Sequence, residues 1–143
     1  EGERVESNLV VSPEKVLSQM KQFQEQMDLY RISGGVHTSA LSDTINLLVI
    51  SEDIGRHNTM DKIQGECLVR KLETRDGLLL CTGRVSSEML LKASRMQVPI
   101  IASLTSPTGR AVSLARDLGI TLVGYARGNR MSVYAHPERL GRS

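Results

Sequence analysis

The sequence predicts an α/β fold: a three-layer α/β/α sandwich on a mostly parallel sheet. Four apolar runs recur along the chain, "INLLVI" (45–50), "GLLLCT" (77–82), "VPIIAS" (98–103) and "ITLVGY" (120–125). Each is continuous in hydrophobicity, the pattern of strands covered on both faces. One helical segment separates each run from the next, and such alternation implies right-handed crossovers between parallel neighbours. At 143 residues the chain has room for one unit of this kind.

Ser12 is a good N-cap, and Pro13 and Glu14 suit the first turn of a helix. Val16, Met20, Phe23 and Met27 keep helical spacing to about Leu29. Residues 1–29 therefore read as an N-terminal segment with a peripheral amphipathic helix, and residues 30–143 as the main domain. That domain opens on "SGGVHTSAL", where two glycines interrupt the helix and a short alternation reads as a strand. The three later helices place Met60, Ile63, Cys67 and Leu72 on one side, then Val85, Met89, Ala93 and Met96, then Ala111, Leu114, Ala115 and Leu118. After the "RGN" turn, "RMSVYAHP" reads as a last strand, antiparallel at one edge. The opening "EGERVESNLVVS" begins without methionine, as expected of a fragment of a longer protein.

Eighteen basic and sixteen acidic residues leave a formal charge of +2, too little for bulk attraction to nucleic acid or membrane. Aromatics are 3% of the chain and tryptophan is absent, so a base-stacking surface for single strands has little to be built from. The apolar runs fall short of the roughly 18 residues of a membrane span, and no secretory leader is visible. A cytoplasmic protein is expected. Cys67 and Cys81 lack C-x-x-C spacing and read as reduced core residues.

In a sheet of this kind the loops leaving the carboxyl ends of the strands share one edge, where ligands bind. The junctions at that edge read "SEDIGRHN", "TGRVSSE" and "TSPTGR", whereas the opposite ones, "ETRDG", "RMQVP" and "RDLG", are ordinary turns. A helix N-terminus presents free N–H groups at the positive end of its dipole, glycine lets an anion approach, and arginine adds a bidentate partner. An anionic-ligand pocket is expected, built from Asp53, Arg56, His57, Asn58, Gly83, Arg84, Ser86, Ser87, Ser106, Thr108 and Arg110. Gly34, Gly35 and His37 join it from "GGVH", and Lys62 and Lys92 from the first or second turn of their helices, where a solvated face is the alternative reading. Asn58, Ser86 and Ser106 also suit plain N-caps, and Asp53 with His57 reads either as a proton-carrying pair or as a loop clamp. His136 reads as structural and Glu88 as a partner of its helix terminus. No loop matches a Walker A or dinucleotide fingerprint.

Zinc-dependent deamination needs a His or Cys followed closely by Glu, then P-C-x-x-C at the next helix start. "GGVHTSA" has no such Glu, and "GRVSSEM" has Ser in place of both thiolates, so no catalytic zinc is expected. A hydrolase using His57 and Asp53 is disfavoured by the same lack of ligands.

"SGGVHTSAL", "EDIGRHNTMDKIQG", "TGRVSSEMLLKAS", "TSPTGRAVSLARDLGITLVGYARG" and "VYAHPERL" together resemble the C-terminal domain of the FdhD family, the formate dehydrogenase accessory sulfurtransferases, from about Tyr30 to Leu140. The resemblance implies a cytidine-deaminase-like fold without catalytic zinc. It implies an accessory protein, a homodimer, that takes sulfur from a cysteine desulfurase. The sulfur is passed to the molybdenum bis-guanine-dinucleotide cofactor on behalf of the formate dehydrogenase apoenzyme. The phosphates and guanines of that cofactor would be the ligand of the Arg-bearing edge. The family carries its persulfide on a C-x-x-C loop before this domain, and this chain has no such motif. These residues are expected to form a cofactor-binding domain that does not itself transfer sulfur, with the full-length protein as the sulfurtransferase and a non-catalytic nucleotide-binding chaperone module as the alternative.

Overall fold

The computed structural model describes residues 2–29 and 36–141. Helix α1 (Pro13–Leu29) is followed by strands β1 (His37–Ser42) and β2 (Leu47–Asp53), helix α2 (Arg56–Arg70), strand β3 (Leu78–Cys81) and helix α3 (Ser87–Met96). Strand β4 (Ile100–Ser103), helix α4 (Gly109–Leu118), strands β5 (Thr121–Arg127) and β6 (Arg130–Ala135) and a 3₁₀ turn (Pro137–Arg139) complete it. Six strands form one sheet in the order β2-β1-β3-β4-β5-β6.

The sheet is mixed, which corrects the mostly parallel expectation. Strands β3, β4 and β5 are parallel, β1 runs antiparallel to both β2 and β3, and β6 is antiparallel to β5. The reason lies in the loop between β1 and β2. Only residues 43–46 separate them, and a parallel pair needs a crossover of roughly a dozen residues or more. Asp43 closes this turn by accepting from the N–H groups of Ile45 and Asn46 at 2.9 and 2.7 Å. The α2 crossover then carries the chain over β1, so β1 lies between β2 and β3.

Two cores fill the two faces. Met60, Ile63, Met89, Leu90, Ala111 and Ala115 from α2, α3 and α4 pack on Leu41, Leu79, Ile101 and Leu122. On the other face Val16, Met20 and Phe23 pack on Ala40, Leu80, Ala102 and Val123. Helix α1, expected at the periphery, is thus the third layer, with Phe23 and Val16 wholly buried. The central strands β3 and β4 are buried at every residue, as their unbroken apolar runs require, while β6 at the edge is half exposed.

Helix caps set where the junction loops end. Ser86 caps α3 by accepting from Met89 N–H, as expected. The N-cap of α4 is Thr108, which accepts from Ala111 N–H, not Ser106. Helix α2 is preceded by Gly55, so Asn58 lies inside its first turn and is no cap.

Candidate functional site

Because β2, β3, β4 and β5 run one way and β1 the other, the carboxyl ends of four strands and the first residue of β1 meet at one edge. His37 and Asp53 are register partners at that edge. The main chains of β1 and β3 are tied beside them: Thr82 N–H donates to Thr38 O at 3.0 Å, and Thr38 N–H to Thr82 Oγ1 at 3.1 Å. Below, the buried hydroxyls of Ser39 and Thr59 are 2.7 Å apart and join β1 to α2. His37 sits against Gly83, its Nδ1 only 2.8 Å from where a Cβ would stand. The edge is therefore a formed surface with a floor of buried hydroxyls.

Asp53 acts as the clamp of the first junction. Its Oδ1 accepts from Gly55 N–H at 2.9 Å and Asn58 Nδ2 at 3.3 Å, and its Oδ2 lies 2.8 Å from Lys62 Nζ. Lys62, with Gly55 and Asn58 after it, holds the carboxyl well below the usual carboxylate range. Lys62 also donates to Glu52 O at 2.8 Å, so its ammonium fastens α2 to the end of β2. Lys92 similarly pairs with Asp61 at 2.7 Å, joining α3 to α2. Arg56 and His57 open α2, placing their backbone on this edge; Gly34 and Gly35 lie outside the described residues.

The second and third junctions are linked to each other. Val85 and Pro107 form a parallel bridge, Thr108 N–H donates to Val85 O at 2.9 Å, and Ser103 Oγ to Gly83 O at 2.6 Å. Gly83, Ser86, Ser87, Ser106 and Thr108 are held together here, all partly exposed. Arg84 and Arg110 stand exposed at this linked pair, and neither has a side-chain partner among the described residues. Unpaired guanidiniums beside two capped helix N-termini make an electropositive surface suited to phosphate oxygens.

Sequence reasoning missed the floor of this edge, Thr38, Ser39, Thr59 and Ser103, and its continuation onto β5. Tyr125 N–H donates to Thr105 O at 3.1 Å, tying the third junction to the β5–β6 hairpin. The hydroxyl run "HTS" was the available signal for the floor; no local pattern marks the second. Among the described residues no three His, Cys, Asp or Glu side chains converge to hold a metal ion. Cys81 is buried in β3, and burial pushes its thiol up to about 12; burial also raises Cys67.

The chain is similar in sequence and fold to known proteins. The family model described as FdhD/NarQ family matches residues 1–141. The chain belongs to the FdhD/NarQ family. A sulfur carrier protein FdhD of Bacillus subtilis (strain 168) is 44% identical over 134 residues, which cover 94% of this chain and 51% of that protein. One from Staphylococcus aureus (strain MRSA252) is 42% identical over the same shares. A crystal structure described as that of a formate dehydrogenase accessory protein from Desulfotalea psychrophila superposes with a TM-score of 0.84 at 32% identity. It covers 99% of this chain and 60% of its own. The chain spans about half the length of the curated relatives it matches. No helix among the described residues is long and apolar enough to cross a membrane.

Proposed function

We propose that this chain is the cofactor-holding part of a sulfur carrier for formate dehydrogenase maturation. It binds the molybdenum bis-guanine-dinucleotide cofactor, its client, along the strand-to-helix edge, where the phosphates meet Arg84, Arg110 and the N-termini of α3 and α4. The observation that carries this reading is the pair of partnerless arginines on the two linked junctions. Arg56, His57 and His37, which begin their elements at the same edge, extend the surface. The fold is cytidine-deaminase-like in this reading, a use of the three-layer architecture in which the edge binds nucleotide without catalytic zinc.

Sulfur reaches the cofactor from a cysteine desulfurase by way of a cysteine that is not in this chain. Persulfide chemistry needs an accessible thiolate, and both Cys67 and Cys81 are buried, with burial raising the pKa of each thiol. The same observation favours a second reading, a chaperone module that holds cofactor or apoenzyme without chemistry. In the cytoplasm the working form is a homodimer that hands the sulfurated cofactor to the dehydrogenase apoenzyme.

Calorimetric titration with GDP, with ADP and phosphate as controls, tests the site. Replacing Arg84 or Arg110 with alanine is expected to weaken GDP binding by about 1–3 kcal/mol with the fold intact. Unchanged affinity in both variants removes the junctions from the site. The two readings separate in the complete protein: sulfur transfer to the cofactor supports the carrier, binding without transfer the chaperone.

A further inference from the structure

Strand β2 is an outer strand of the sheet, paired only with β1 among the described strands. Thr38 spends both of its main-chain groups on Thr82, toward β3. Alternation along β1 therefore turns the main chains of His37, Ser39 and Leu41 toward β2, where they meet Asp53, Ser51 and Val49. The main chains of Ile50 and Glu52 point the other way, off the sheet. Glu52 O is taken by Lys62 Nζ at 2.8 Å, and Leu48 O, where the register shifts, by Arg70 Nη1 at 2.9 Å. Eight residues of helix rise about 12 Å and four of a strand span about 13 Å, so each cation lands on its own carbonyl. The N–H groups of Ile50 and Glu52 have no partner among the described residues.

A cleft of about 710 Å³ opens between this edge and α2. Lys62, Gly65, Glu66 and Val69 recur at helical spacing and form one wall. Val69 is 81% exposed, and Gly65 has nothing within 4 Å of where its Cβ would stand. Ser51 lies in the strand wall. It faces α2 together with its cross-strand partner Ser39, whose hydroxyl meets Thr59. Ser51 is 8% exposed, yet its Oγ has no hydrogen-bond partner among the described residues. A buried hydroxyl is costly to leave unpaired.

Edge strands are ordinarily blunted by charges that point outward. Here the two cations fold back onto the strand's own carbonyls, and the edge keeps a surplus of donors. These are the two N–H groups, the Ser51 hydroxyl and the rest of the Arg70 fork, whose Nε stands 3.9 Å from Glu66, beyond hydrogen-bond length. We infer that β2 accepts an extended segment of a partner protein as a seventh strand, with a Ser or Thr beside Ser51 and a carboxylate two residues away, at Arg70. Carbonyls of the segment take the Ile50 and Glu52 N–H groups, its hydroxyl pairs with Ser51 Oγ, and its carboxylate takes the guanidinium. Its side chains on this face fill the space over Gly65 and against Val69. A second copy of the chain does not match, because antiparallel pairing about Ile50 sets Arg70 of one copy against Lys62 of the other. Strand β2 runs into the first junction, so the segment ends beside the strand-to-helix edge. In the delivery reading proposed above, on which the naming of the partner rests, the segment belongs to the dehydrogenase apoenzyme.

The peptide Ac-VDVTVTV-NH2, titrated into the chain and followed by backbone-amide NMR and hydrogen exchange, tests this. The amides of Ile50 and Glu52 are expected to shift and to gain protection, while those of Val49 and Ser51, already in the ladder, keep theirs. Gly65→Glu fills the cleft from an exposed helix position with room for the side chain, and is expected to weaken peptide binding by about tenfold or more. The peptide Ac-VKVTVTV-NH2 is expected to bind more weakly by a similar factor. Ser51→Ala should lower peptide affinity without lowering the melting temperature, since the hydroxyl it removes is unpaired in the free chain. Unshifted amides at Ile50 and Glu52 in millimolar peptide, or equal affinity for the lysine peptide, would overturn the site. Shifts there that grow with protein concentration in the absence of peptide would overturn the partner in favour of a second copy. Gly65→Glu is expected to keep its GDP affinity and R84A/R110A its peptide affinity, so failure of the cofactor reading leaves the strand site standing. In the complete protein, equal capture of apoenzyme by the parent sequence and by Gly65→Glu would overturn the naming of the partner.

Discussion

The imidazole of His37 occupies the space that a side chain on Gly83 would need, with Nδ1 2.8 Å from the missing Cβ. Glycine at this point of the second junction is what lets β1 begin with a histidine against it. Gly83→Ala is expected to turn the His37 ring aside at a cost of about 0.5 kcal/mol or less, because the obstructing group is a side chain able to rotate. The His37 imidazole resonances report it: they should move in Gly83→Ala. In a His37→Ala background the second substitution should have no further effect on stability. Unmoved resonances would show that the ring does not use this space.

Asp53 makes the first junction sensitive to acid. Its carboxyl is held below its ordinary value by Lys62, then by Gly55 N–H and Asn58. A depressed folded-state value means the clamp contributes fully above the unfolded carboxylate value of about 3.9, and its contribution is lost as pH falls through the folded value. Lys62→Met is expected to raise the Asp53 titration midpoint, read from its side-chain carbon by NMR. Asp53→Asn should make stability less dependent on pH below about pH 4. An Asp53 that titrates alike in wild type and Lys62→Met would refute the clamp.

Gly124 and Gly65 should respond to alanine in opposite directions. A Cβ on Gly124 would stand 2.8 Å from both Thr105 O and Tyr134 Cε2, and the carbonyl is backbone, held by Tyr125 N–H. Gly124→Ala should cost about 1–3 kcal/mol by overpacking. Gly65 has nothing within 4 Å and lies exposed in α2. Gly65→Ala should stabilise by about 0.5–1 kcal/mol through helix propensity. Urea denaturation of both variants decides the pair.

Neither cysteine should react in the native protein. Cys81 Sγ is enclosed near the carbonyls of Gly83 and Ala102, each at 3.8 Å, and Cys67 is buried against α2's core neighbours. Ellman's reagent at pH 8 is expected to titrate both thiols only after denaturation. Prompt modification of the folded chain would reopen the question of a persulfide carrier within these residues.

Much of the architecture was legible because it depends on local pattern. The unbroken apolar runs of β3 and β4 report burial on both faces directly, and Ser86 announces the start of α3 through one side chain and one N–H. Asn58 and Ser106 misled for the converse reason: a capping residue type was present, but Gly55 and Thr108 took the position once neighbouring loops were packed. The peripheral reading of α1 failed because a polar, glutamine-rich surface says nothing of how deeply the opposite stripe is buried.

By itself the sequence determined the order of strands and helices, the edge at which the junctions gather, and, through words such as "EDIGRHN" and "GRVSSEM", the family. Periodicity, capping chemistry and motif are properties of neighbours along the chain. Tertiary structure alone decided that β1 lies between β2 and β3 and that His37 faces Asp53 and Gly83. Strand order and register arise from which surfaces bury together across long sequence separations, and no local pattern encodes them.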